Sequence, residues 1–127
     1  MTVFRISEVA SLLDVSPDTV RRWVDSGRLV AERDEHGHRL VSGTDLAAFV
    51  RSPAEAETAF SSARNRMRGI VTDVVRDGVM AKVEIQAGPH RVVSLMSREA
   101  ADDLGLEPGV VAVAVVKSTN VVVERTE

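Results

Sequence analysis

The chain has 127 residues, 44% of them apolar and only 3% aromatic, with no cysteine and a net charge of −3. That composition excludes disulfides and thiolate metal sites, argues against stacking on exposed bases, and argues against broad electrostatic adhesion to nucleic acid. The length allows one domain or two small ones, and small halves bury modest cores that partner subunits would support.

Met1 to Arg5 lacks the long apolar run of a signal peptide. No stretch approaches the roughly twenty apolar residues of a membrane span. A soluble cytoplasmic protein with no membrane contact is the expectation. Only Lys82 and Lys117 among the sixteen basic residues are lysines, a bias that base composition explains and that still singles out Lys117.

The first half reads as helical. Ile6, Val9, Ala10, Leu12 and Leu13 recur at helix spacing, with Ser7 expected as the cap. Asp14-Val15 breaks the pattern, and Ser16-Pro17 gives an N-cap followed by proline at the first helical position. Val20, Trp23 and Val24 make the buried stripe of this second helix, and Gly27 ends it. Two helices so spaced form a helix-turn-helix. Residues 29–33 and 38–41 flank the polar tip Asp34-Glu35-His36-Gly37, a hairpin that would serve as a wing. Ser42 and Asp45 stand at capping-box spacing before a third helix through Leu46, Ala47, Phe49 and Val50.

Ser52-Pro53 opens a short alanine- and glutamate-rich turn over residues 54–60, too short for a coiled coil. From Arg68 the period switches to two. Ile70, Thr72 and Val74, then Val79, Ala81, Val83 and Ile85, alternate with polar neighbours around an Asp77-Gly78 turn. Arg91–Met96 is a third strand, residues 97–104 a short helix ending at Gly105, and residues 110–116 and 121–124 two more strands. The expected fold class is therefore α+β in two domains: a winged helix-turn-helix head over 1–52, a linker over 53–61, and a five-stranded β-barrel of the oligonucleotide-binding type with one short helix over 62–127.

The head carries Phe4-Arg5-Ile6-Ser7-Glu8-Val9-Ala10, Ser16-Pro17-Asp18-Thr19-Val20-Arg21-Arg22-Trp23 and Gly27-Arg28-Leu29. With these residues it resembles the winged helix-turn-helix domains of the excisionase and MerR group. A recognition helix enters the major groove by its first turns, where arginine reads guanine. Arg5, Ser16, Thr19, Arg21, Arg22, Arg28 and Arg39 are the expected contacts to double-stranded DNA, while Asp18 and Asp25 would be repelled by phosphates and point away. Residues 1–52 hold seven arginines against eight acids, so a protein-docking role is the competing reading. His36 and His38 in the wing are read as a solvated pair, not as a metal site.

In the second half, Ser62-Ala63-Arg64-Asn65 is answered by Lys117-Ser118. Hydroxyls with one Arg and one Lys are what a tetrahedral oxyanion needs. Together with Gly69, Val79-Met80-Ala81-Lys82-Val83, Ser97, Leu104-Gly105-Leu106 and Pro108-Gly109, these residues resemble the molybdate-binding Mop domain of molbindins and molybdate-responsive regulators. The resemblance implies molybdate or tungstate held between subunits by Ser62, Ala63, Arg64, Ser97, Lys117 and Ser118, without a redox cofactor. It also implies a homo-oligomer, a hexamer in preference to a dimer or trimer. Ala100 departs from the pattern, standing where many members carry serine. Singly, each residue has a plainer role: a strand-end charge, an N-cap, a turn hydroxyl.

The combined expectation is a molybdate- or tungstate-responsive transcription regulator. The alternative is an oxyanion-binding or storage protein whose head docks protein partners. No nucleophile–base pair, metal cluster or phosphate-cradling glycine loop suggests an enzyme.

Overall fold

The computed structural model describes residues 2–51 and 61–126, and the chain divides into two compact units, Met1–Ala54 and Glu55–Glu127. The chain is α+β in two domains. The expected linker, residues 53–61, falls almost wholly outside the described residues.

In the first unit, β1 (Val3–Arg5) leads directly into α1 (Ile6–Leu13), followed by α2 (Pro17–Asp25), β2 (Glu32–Arg33), β3 (Arg39–Ser42) and α3 (Gly43–Val50). The turn between α1 and α2 closes at Asp14, left-handed at φ 55°, which a short polar side chain tolerates. Val15 N–H then reaches the Ala10 carbonyl at 3.0 Å. Ser16 caps α2 by accepting from Thr19 N–H at 3.1 Å, with Pro17 at the first helical position. At the other end, Gly27 takes φ 81°. Its N–H bonds to the Val24 carbonyl and that of Arg28 to the Trp23 carbonyl, the paired arrangement of a Schellman end.

Two features of the head differ from expectation. Ser7 does not cap α1: Arg5 is the N-cap residue, and its N–H donates to the Glu8 carboxylate at 3.0 Å. The wing is not an isolated hairpin either, because β1 pairs with β3 (Phe4 opposite Val41) and makes a three-stranded sheet in the order β1-β3-β2. Val9, Ala10, Val20, Leu29, Val41 and Leu46 form the core, with Trp23 and Phe49 packed against it at a ring separation of 5.0 Å. A buried aliphatic side chain of this kind contributes about 1.5–3 kcal/mol.

The second unit runs β4 (Asn65–Arg76), β5 (Met80–Ala87), β6 (His90–Ser97), α4 (Arg98–Asp103) and β7 (Val111–Val116). The antiparallel sheet has the order β6-β5-β4-β7. β4 is long enough to pair twice: Asn65–Ile70 with β7, and Ile70–Arg76 with β5. A register shift between Val71 and Asp73 bends it at the changeover. Gly69 is needed at that bend, since a Cβ there would lie 2.2 Å from the Gln86 carbonyl oxygen. Val71, Ala81, Val83, Ile85, Ala101 and Leu106 form the core beneath α4.

The fifth strand expected over residues 121–124 does not form. Ser118–Asn120 is a 3-10 turn, and the valines after it are extended but unpaired, with Val122 and Val123 each 86% exposed. The run of β-branched residues that suggested a strand is present, but it pairs with neither β6 nor β7, the two edges of the sheet.

Candidate functional site

The Ser62–Asn65 run and Lys117–Ser118 come together at one end of the second sheet. Asn65 pairs with Val116 across the β4–β7 ladder. Its side-chain amide also donates to the Val116 carbonyl at 3.1 Å. Continued one step, the antiparallel register sets Arg64 opposite Lys117. Ser62, Arg64, Lys117 and Ser118 are exposed, whereas Ala63 is buried at 4% exposure and its N–H donates to the Ser61 hydroxyl. Arg64 folds toward its own backbone, giving a hydrogen bond to the Ser61 carbonyl at 2.9 Å. Among the described residues no carboxylate lies within ion-pairing distance of Arg64 or Lys117. Arg66 and Arg68 of β4 likewise have none among the described residues, whereas Arg76, Lys82, Arg91 and Arg98 each have one.

Ser97 lies elsewhere. It pairs with Met80, at the turn that follows Arg76, the far end of β4. Eleven residue steps of strand, on the order of 30 Å along its path, separate it from Asn65. Ser97 caps α4 by accepting from Ala100 N–H at 3.1 Å, and Arg98 N–H is taken by the Val79 carbonyl at 2.8 Å. A cleft of about 540 Å³ beside it is bordered by Gly78, Val79, Arg98, Glu99, Asp102 and Asp103. That cleft carries one guanidinium against three carboxylates and would repel a dianion. Within one chain, Arg64 and Lys117 flank the Asn65–Val116 pair at one sheet end, whereas Ser97 lies at the Met80 turn.

Asn65, the last member of the Ser62–Asn65 run and not among the expected site residues, is the one that ties this sheet end together through the Val116 carbonyl. Around α4, Arg76 donates to Asp102 at 2.9 Å and to the Leu106 carbonyl at 2.8 Å, and Arg98 donates to the Asp77 carbonyl at 3.0 Å. These bonds fix the helix and hence Ser97.

In the head, the expected DNA contacts gather on and beside α2. Ser16 and Thr19 hydroxyls bond each other at 2.9 Å, and Arg22 donates to Thr19 at 3.3 Å. Asp18 binds Arg21 at 2.6 Å. Arg39 of the wing is held by Asp25 at 2.9 Å, and Arg28 lies 5.8 Å over the Phe49 ring. Arg5 is exposed at the end of β1. In the wing tip, Asp34 accepts from the His36 and His38 N–H groups, at 2.9 Å each. The bond from His38 is foremost in holding the Asp34 carboxyl below its ordinary range.

The two units define a class: a helix-turn-helix module joined to a curled oligonucleotide-binding-type sheet capped by one helix. A helix-turn-helix domain model matches residues 3–53 and a TOBE domain model matches residues 61–123. Molybdenum-pterin-binding protein 3 of Clostridium pasteurianum is 40% identical over 63 residues, covering 49% of this chain and 93% of that protein. The structure of a molybdate-binding protein from Sporomusa ovata superposes with a TM-score of 0.50 at 31% identity, covering 51% of this chain and 97% of that one. The type II methyltransferase M.Eco47II of Escherichia coli is 45% identical over 47 residues, which are 36% of this chain but only 11% of the enzyme. Through its TOBE domain the chain belongs to the family of the molybdenum-pterin-binding proteins. Neither matched domain family is an enzyme family. Among the described residues no helix is long and apolar enough to cross a membrane.

Proposed function

We propose that this protein is a cytoplasmic transcription regulator that binds molybdate or tungstate in its TOBE domain and duplex DNA through its head. The observation that carries the reading is the gathering of Arg64 and Lys117, without a carboxylate partner among the described residues, at one sheet end with Ser62 and Ser118. An oxyanion of two negative charges is favoured by cations and hydroxyl donors and penalised by carboxylates. The Sporomusa ovata relative is a molybdate-binding protein, which supports the choice of anion.

The site is shared between copies. Ser97 borders an acidic cleft at the Met80 turn, so a second chain that brings Arg64 and Lys117 to that cleft would supply both the cations for the oxyanion and the charge that offsets Glu99, Asp102 and Asp103. Opposite charges on the two ends favour such a contact. The unpaired valines at 121–123, and a valine-lined groove of about 420 Å³ between β6 and β7, support closure of the sheet by another chain. Heterologous contacts of this kind form a ring where the rotation closes, the arrangement the proposed hexamer requires. Anion binding would then lock subunit geometry, set the spacing of the heads and change operator affinity.

The test is native mass spectrometry with molybdate, tungstate and sulfate, paired with gel shifts on selected duplexes. An assembly that binds molybdate or tungstate over sulfate and changes duplex affinity is the expected result. A monomer that binds none of them would refute the proposal. The self-paired Arg21 and Arg39 favour one second reading, an oxyanion store whose head docks proteins. Salt-dependent duplex binding decides against that reading.

A further inference from the structure

α2 presents its polar residues already tied to one another. Asp18 and Arg21 are joined at 2.6 Å with side chains 87% and 53% exposed, so the pair stands outward on the face expected to enter the groove. The bland role of Asp18, an acid in the first turn favouring the positive helix end, needs no arginine partner. Yet the pair cancels one of the two charges α2 offers to phosphate, and it does so at the outermost position. The Ser16 and Thr19 hydroxyls bond each other in the same turn.

We propose that Asp18 is a specificity-setting residue for duplex binding, an inference that rests on the head's reading as a DNA binder. In the free protein it holds Arg21 away from indiscriminate phosphate contacts. Near DNA it adds a like-charge penalty at every site. A base pair that presents a donor in the major groove, such as the N4 amino group of cytosine, offsets that penalty. Arg21 is then released toward an adjacent guanine.

The experiment uses the full chain, D18N and D18E, fluorescence anisotropy on random-sequence duplex at several salt concentrations, and selection from a randomised duplex pool. D18N is expected to bind random duplex roughly fivefold tighter at 0.1 M salt, with a salt slope steeper by about one. It should lose the cytosine preference at one selected position. D18E, which can still pair with Arg21, should restore weak random binding. If D18N melts lower but keeps the wild-type slope and random-duplex affinity, Asp18 only stabilises the helix and the inference is overturned. Wild-type chain that binds no duplex even at low salt overturns the DNA reading beneath it as well.

Discussion

Asn65 is bound to Val116 twice, as its neighbour across the β4–β7 ladder and through a side-chain amide that donates to the Val116 carbonyl at 3.1 Å. The second bond ties the start of β4 to the end of β7, the two strand ends that Arg64 and Lys117 adjoin. Asn65→Ala leaves the strand pairing but frees that edge. A net hydrogen bond of about 0.5–1.5 kcal/mol predicts molybdate affinity weakened by up to roughly tenfold. Calorimetric titration checks this, with the fold followed by circular dichroism.

Gly69 tests the bend in β4. A Cβ there would press on the Gln86 carbonyl oxygen and the Ala87 Cα, both backbone atoms that cannot rotate aside. Gly69→Ala is predicted to destabilise the second unit by about 1–3 kcal/mol, the usual cost of overpacking. Chemical denaturation followed by hydrogen exchange in β4 and β5 should show the loss there, with head amides unchanged.

The hairpin turn at Asp77 sets an acid response. Its carboxylate accepts from the Met80 and Val79 N–H groups at 2.7 Å each. These bonds, Met80's first, hold its carboxyl below the ordinary value of 3.8. Glu84 is lowered likewise, mainly by the hydrogen bond from Arg91. A depressed carboxyl stabilises the fold above its unfolded pKa, and that contribution is lost as pH falls through the lower folded value. NMR titration of the Asp77 carboxyl carbon should give a midpoint below 3.8. Asp77→Asn should flatten the decline in stability at acid pH.

Arg39 and Asp25 join the wing to the end of α2 at 2.9 Å. Asp25→Asn is predicted to lower head stability by about 0.2–1 kcal/mol, as expected of a partly exposed pair. Faster hydrogen exchange at Leu40 and Val41 in β3, with α1 unaffected, is the expected signature.

Local signals in the sequence resolved most of this fold. Ser16-Pro17, Gly27, Asp77-Gly78 and Ser97 each make, with their own neighbours, the cap or turn their chemistry demands, so their elements are legible without the rest of the chain. β1 was not legible, because Val3–Arg5 is too short to show a period and forms by pairing with β3 across some forty residues. Residues 121–124 misled for the opposite reason: three consecutive valines favour extended backbone, but propensity alone supplies no neighbouring strand. The site was half legible. Residue types singled out Arg64, Lys117 and Ser97 as candidates, but their spacing along the chain did not tell that the first two adjoin the Asn65–Val116 pair while Ser97 pairs with Met80.

Mixed assemblies test the central claim, that the oxyanion site joins the Arg64–Lys117 end of one chain to the Ser97 end of another. Chains carrying Arg64→Gln with Lys117→Gln, and chains carrying Ser97→Ala, are each predicted to bind molybdate weakly. Unfolded together and reassembled, they should regain a population of tight sites, because some interfaces pair an intact basic end with an intact Ser97. Tight binding that stays absent from the mixture, while a wild-type control treated identically recovers it, would place all three residues in one chain's site and contradict the account.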